Sequence, residues 1–217
     1  MKLSLPLLAL CVAMAPAAAT ALQASPVAIT PATAAPTPVA PAVTPAETQP
    51  ELDELMRLLA ARRHGHVRFT EVHVLAMLER PLQSSGELTY DAPDWLEKRT
   101  LKPRPETLVL SGGVLSIRRG ERTRTLELAQ HPELAPWVES IRATLAGDRP
   151  ALERYFQVDF SGSLAHWSLL LVPKDPARAQ TIAQIRITGA GAALHTLETR
   201  QTDGDHSVLT IGPELTP

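Results

Sequence analysis

Past residue 65 the chain alternates apolar and polar residues in short runs, joined by turn residues rather than by helices. This pattern constrains the fold most. Strands joined by hairpins pair antiparallel, whereas a doubly wound α/β sheet needs a helix between successive parallel strands. His66 to Leu78 reads as a long strand with Val67 and Phe69 on one face, Gln83 to Gly86 as a turn, and Glu87 to Tyr90 as the returning strand. Trp95 to Leu101 lies between Pro93 and Pro103. Thr107 to Leu110 and Val114 to Arg118 flank Gly112-Gly113, a hairpin signal. After a turn at Gly120, Arg124, Leu126 and Leu128 face one way, and Thr123, Thr125 and Glu127 the other.

Helical periodicity occurs at two points. Thr48 and Glu51 have capping-box spacing, Leu52, Leu55, Met56 and Leu59 form one stripe, and Gly65 is the expected stop. Leu134, Trp137, Val138, Ile141 and Leu145 form a second stripe ended by Gly147, and Asp148 caps a short helix from Pro150 to Tyr155. Strands resume at Gln157 to Phe160, Trp167 to Val172, Ile182 to Thr188, Ala193 to Arg200 and Ser207 to Ile211. Gly189 to Gly191 and Asp203-Gly204 read as turns. The expected fold is α+β: about 11 antiparallel strands in one curved sheet, rolled into an unclosed barrel with an α-helical lid.

The first 50 residues read differently. Lys2 followed by an apolar run from Leu3 to Met14, with Ala19-Thr20-Ala21 as a small-residue cleavage pattern, predicts a signal peptide over 1–21 and export to the periplasm. Cys11, the one cysteine, lies inside it, and Leu10 before it disfavours lipidation, so the mature chain needs no disulfide. Residues 22–50 hold seven Pro and eight Ala, which removes backbone donors and predicts a semi-extended tether. The folded domain is expected over 51–217. With the leader gone, 20 basic against 23 acidic residues leave a charge of −3. Together with eight aromatics, this excludes a basic stacking platform and hence nucleic acid as a partner.

Candidate chemistry is thin. His64 and His66 form an H-x-H pair, but no third metal ligand is evident. Asp159, Ser163 and His166 are triad residue types without a nucleophile elbow. Gly189-Ala-Gly191 begins a G-x-G pattern, yet Leu194 stands where the third glycine belongs and a strand follows, so no nucleotide cofactor is implied. Asp203-Gly-Asp205 has no Glu to complete a calcium loop. No catalytic arrangement or cofactor is expected.

What remains is the sheet. Leu108-Val109-Leu110 and Leu169-Leu-Leu-Val172 are apolar on both faces, so both faces must be covered. Either an ordinary packed core or a wall around a hydrophobic cavity would do this.

Several segments carry a family likeness: Phe69-Thr-Glu71, Pro81-Leu82, Ser85-Gly86-Glu-Leu-Thr-Tyr90, Ala92-Pro93, Gly112-Gly113 and Leu145-Ala-Gly147-Asp148. Trp167 with Leu169, Leu171 and Pro173, then Ile185-Arg-Ile187 and Gly204-Asp205, complete the set. In this order they resemble the LolA-type family of periplasmic outer-membrane lipoprotein carriers, in one of its more divergent branches. The resemblance covers nearly all of Glu51 to Gly212 and implies an unclosed barrel with a helical lid.

It also implies a binding protein rather than an enzyme, a monomer that takes an acylated lipoprotein or other lipid from an inner-membrane donor to an outer-membrane acceptor. Leu108, Leu110, Leu126, Leu128, Ile185 and Ile187 are then the expected lipid-binding wall, with Leu134, Trp137, Val138 and Ile141 as the lid. Each position would serve equally in a plain core. One departure stands out: carriers of this type place a lid-latching Arg before the Pro that ends the second strand, and here Ala92 occupies that position, with Lys98 and Arg99 a few residues on. A lipid-sensing regulatory module of the cell envelope is the alternative.

Overall fold

The computed structural model describes residues 48–175 and 181–215. The expected leader over 1–21 and the tether up to residue 47 lie outside the described residues. The chain runs α1 (Thr48–Ala61), β1 (His64–Val74), β2 (Leu82–Asp91), β3 (Trp95–Lys102), β4 (Glu106–Ser111), β5 (Val114–Arg119) and β6 (Arg122–Glu127). A 3-10 turn at Leu128–Gln130 leads into α2 (Ala135–Ala146) and α3 (Arg149–Tyr155). Then come β7 (Phe156–Ser163), β8 (His166–Pro173), β9 (Ile182–Ala190), β10 (Ala193–Gln201) and β11 (His206–Glu214).

All eleven strands form one antiparallel sheet in the order β6-β5-β4-β3-β2-β1-β11-β10-β9-β8-β7. Every neighbour is a hairpin partner except β1 and β11, which join the two halves of the chain. The edges β6 and β7 are not paired, so the barrel stays unclosed, and α2 and α3 bridge between them in sequence. Among the described residues no helix is long and apolar enough to cross a membrane.

The stripe on α1 does what its spacing predicts: Leu52, Leu55, Met56 and Leu59 are buried in one cluster with Leu152 of α3, Phe156 and Phe160 of β7, Trp167, Leu169 and Leu171 of β8, and Ile185 and Ile187 of β9. Each such side chain contributes roughly 1.5–3 kcal/mol by leaving water. Trp167 lies on Gly189, where a Cβ would come 2.3 Å from the indole ring, and its Nε1 donates to the Gly191 carbonyl at 2.9 Å. Gly189 is therefore part of a strand under a ring, and the turn follows at 191–192.

Other boundaries also differ from expectation, and β1 ends at Val74 rather than at Leu78. Helix α1 starts at Thr48 and ends at Ala61 rather than at Gly65, because Gly65 already pairs with Tyr90 in the β1–β2 ladder. Gln83 to Gly86 is no turn. Its residues pair with Val72 to Phe69, and the chain reverses over 75–81 instead. Gly86 is required by close approach: a Cβ there would stand 1.9 Å from the Arg99 carbonyl oxygen. Ser161-Gly-Ser163 likewise belongs to β7, with the reversal at 164–165. Leu128 leaves the strand face and opens the 3-10 turn. The Gly112-Gly113 hairpin forms as predicted, both glycines at positive φ. Asp148 caps α3 by accepting from the Ala151 amide at 3.0 Å.

The buried face of α2 also differs. Pro136, Val138, Ser140, Ala143 and Thr144 are buried, while Leu134, Trp137, Ile141 and Leu145 are half-buried. Small residues pack inward because α2 ends against α1: Gly147, at φ 63°, has no room for a Cβ, which would meet the Met56 carbonyl at 2.1 Å. The large apolar side chains of the expected stripe are displaced toward its margins.

Candidate functional site

Strand alternation and the pairing register place one set of side chains on the face that the helices cover. In the β7–β10 half that face is the packed cluster, and it includes Ile185 and Ile187, which α1 and α3 occlude. In the β2–β6 half it is a wall of two cross-strand rows. Tyr90, Leu96, Leu110, Leu115 and Leu126 make one row, and Leu88, Lys98, Leu108, Ile117 and Arg124 the next. Leu108, Leu110 and Leu115 are buried, and Leu126 at the edge is half-buried.

The expected residues are thus divided. Leu108, Leu110 and Leu126 share one wall. Ile185 and Ile187 belong to the core of the other half. Leu128 has left the sheet, and the structure does not bring it into either row. On α2, Val138 is 2% exposed and Trp137 packs against the core cluster. Leu134 stands at the helix N-cap, and Ile141 is half-buried.

Between the two halves the same face carries charge. Glu71, 4% exposed, holds Lys98 Nζ at 2.5 Å, His73 Nε2 at 3.1 Å and the Ser84 hydroxyl at 3.3 Å, all on its Oε2. Lys98 reaches there across the Phe69 ring, 5.0 Å from its centroid. Burial is the largest influence on Glu71 and pushes its carboxyl up. The His73 hydrogen bond and the Lys98 charge outweigh burial and bring it down to about 2. A polar row of His73, Ser207 and Thr199 continues from this cluster across β1, β11 and β10. Sequence reasoning missed the group, although the signal was present: Phe69, Glu71 and His73 alternate on one strand, so they share a face.

Other sequence candidates do not assemble. His64 pairs with Asp91 at 2.5 Å and His66 with Glu87 at 3.5 Å, each on its own. Among the described residues no group of three or more His, Cys, Asp or Glu side chains could hold a metal. Asp159, Ser163 and His166 are exposed on the β7–β8 hairpin. Asp205 joins two turns by accepting from the Ala76 amide at 2.7 Å. Lys98 is engaged by Glu71, and Arg99 is exposed. At the position of Ala92 the backbone amide donates to the Arg63 carbonyl at 2.8 Å. A hollow of about 270 Å³ at Arg68, Thr70, Ser85, Glu87 and Leu101 lies mainly among side chains of the opposite face, away from the leucine wall.

A single open sheet of eleven antiparallel strands, with its helices gathered over one face, defines the LolA-type open β-barrel class. A family model described as outer membrane lipoprotein carrier protein LolA-like matches residues 44–213. The chain belongs to this LolA-like family.

Solved structures of similar shape include a LolA superfamily protein from Nitrosomonas europaea, at 12% identity over 81% of this chain and 95% of that one, with a TM-score of 0.41. The Mycobacterium tuberculosis lipoprotein LppX is 9% identical over 78% of this chain and 97% of its own, at 0.39. The MucA/MucB complex of Pseudomonas aeruginosa is 12% identical over 76% and 58%, at 0.41. The search of curated proteins finds no match to this chain.

Proposed function

We propose that this protein is a periplasmic carrier that binds the acyl chains of a lipoprotein or other lipid and moves them toward the outer membrane. It would receive cargo from an inner-membrane donor and yield it to an outer-membrane acceptor. The observation that carries this reading is the division of the covered face. The β7–β10 half is filled by α1 and α3, whereas the β2–β6 half offers the leucine wall of Leu108, Leu110, Leu115 and Leu126. Family membership and the exported-protein pattern of residues 1–21 support the same reading.

In this reading Leu108, Leu110 and Leu126 touch the acyl chain, with Trp137, Val138 and Ile141 of α2 as cover and Leu134 at its hinge end. Ile185 and Ile187 hold the core against which α1 rests. A wall of Leu and Ile suits a flexible chain, and each buried CH₂ contributes about 0.8 kcal/mol. Release to an acceptor is favoured when the chain is only partly enclosed, as the half-buried Leu126 and Ile141 would leave it.

The test is native purification from periplasm followed by mass spectrometry of bound lipid. A stoichiometric acylated molecule is expected. Absence of any co-purifying lipid, with no lipid uptake by the purified protein, overturns the reading.

A further inference from the structure

We propose that the Tyr90 hydroxyl donates a hydrogen bond to an acyl carbonyl oxygen of the cargo and so sets which end of the lipid lies beside the leucine wall. The inference rests on the carrier reading above and adds its polar contact. Tyr90 is 5% exposed and shares its cross-strand row with Leu96, Leu110, Leu115 and Leu126. Its Oη is buried and makes no hydrogen bond among the described residues, alone among their buried side-chain polar atoms. A buried hydroxyl without a partner is costly, and a phenylalanine would fill the same space without that cost. An acceptor arriving with the ligand removes the penalty.

The charges acting on the phenol offset one another, Arg63 and Arg142 against Asp94, with Glu139 and Asp148 on Arg142, which favours a neutral acceptor. Arg142 of α2 is held by Glu139 through contacts of 2.7, 3.0 and 3.1 Å, with Asp148 at 3.8 Å. Asp94 accepts from the Gly112 amide at 3.2 Å. Beside Tyr90 in its row stand Gly65 on β1 and Leu96 on β3, neither with a polar side chain. Burial raises the phenol's pKa, against the lowering by Arg63 and Arg142, so the group stays protonated and can donate. An ester or amide carbonyl fits this setting better than a bare phosphate. That carbonyl could belong to the acylated cysteine of a lipoprotein or to the glycerol ester of a phospholipid.

The test compares the mature protein with Tyr90→Phe. Diphenylhexatriene, a hydrocarbon without an acceptor, serves as the fluorescent probe. A synthetic diacylglyceryl-cysteine lipopeptide and dipalmitoyl phosphatidylglycerol compete for it. The expected result is unchanged binding of the hydrocarbon and an affinity for the carbonyl lipids about fivefold to tenfold weaker in the variant, as one lost hydrogen bond implies. The ligand-free melting temperature should be equal or higher, because an unpaired hydroxyl has been removed.

A loss for the lipopeptide alone, or for the phospholipid alone, identifies the source of the carbonyl. Unchanged affinity for both overturns the proposal. So does an equal loss for the hydrocarbon, or a lower melting temperature of the empty variant, since either gives the hydroxyl a structural role. If the wild-type protein binds none of the three, the carrier reading itself has failed and this proposal falls with it.

Discussion

Lys98 Nζ lies 2.5 Å from Glu71 Oε2 on the covered face of the sheet, with side chains 16% and 5% exposed. The two come from β3 and β1, and neither β2 nor the Phe69 ring between them separates the charges. A buried pair of this kind loses solvation on both partners, so it is stable only where further hydrogen bonds complete it, as His73 and Ser84 do here. It marks the boundary between the packed half of the covered face and the leucine wall.

Acid should unfold the protein through this cluster. The Glu71 carboxyl titrates at about 2 in the folded chain against an ordinary 4.5. A depressed folded value stabilises above about 4.5, and that contribution is lost as the pH falls toward 2. The amount is on the order of 3 kcal/mol. Urea midpoints measured across this range should drop steeply for the wild type and less for Glu71→Gln, which starts lower at neutral pH. Parallel curves for the two would refute the assignment.

Removing one partner should cost more than removing both. Lys98→Met leaves the carboxylate buried with a weaker set of partners and should lower stability by about 3–5 kcal/mol. The double variant Glu71→Leu with Lys98→Met should recover most of that loss. A denaturant double-mutant cycle reads the coupling, and additive costs would show that the pair contributes nothing as a pair.

Two glycines should respond differently to alanine. At Gly189 a Cβ would meet the Ala193 carbonyl at 2.2 Å and the Trp167 ring at 2.3 Å, so strand or indole must move. A loss of about 3 kcal/mol, or roughly 6–12 °C in melting temperature, is expected. Gly112 faces open space at φ +56°, and alanine there should cost only about 1 kcal/mol from the left-handed backbone. Thermal melts separate the two cases.

The two halves of the covered face should separate stability from binding. Ile187→Ala opens the packed cluster and should cost about 2–5 kcal/mol while the folded fraction still takes up acyl probe. Leu126→Glu at the half-buried edge should abolish uptake with little change in melting temperature. Leu110→Glu should also abolish uptake, with a larger loss of stability because Leu110 is buried. Probe fluorescence and melting curves on the same samples distinguish these outcomes, and retained uptake in Leu126→Glu would remove that residue from the site.

Local signals carried most of the elements. The stripe of Leu52, Leu55, Met56 and Leu59 specified α1 and its buried side, the Gly112-Gly113 pair specified the β4–β5 hairpin, and Asp148 specified the start of α3. Three of the differences share one cause. Gly65, Gly86 and Gly189 resemble punctuation in one dimension, but each is a strand residue. At Gly86 the Arg99 backbone, and at Gly189 the Trp167 ring together with the Ala193 carbonyl, occupy the space of a side chain, and Arg99 and Trp167 lie on other strands. The buried side of α2 departs from its stripe for a related reason. The choice between its large and small faces was made by the approach of α1 at Gly147 and not by periodicity.

By itself the sequence determined that strands of this chain pair with their chain neighbours, because short turns leave an antiparallel partner within reach and no helix to carry a crossover. It also determined which residues share a strand face, since a period of two is written in the chain. Only the tertiary structure decided that β1 closes on β11 and that α1 and α3 fill one half of the covered face. The same packing left Tyr90 unpaired and brought Lys98 to Glu71. Those outcomes depend on contacts between segments far apart in the chain, where packing space and desolvation, rather than local pattern, select the partner.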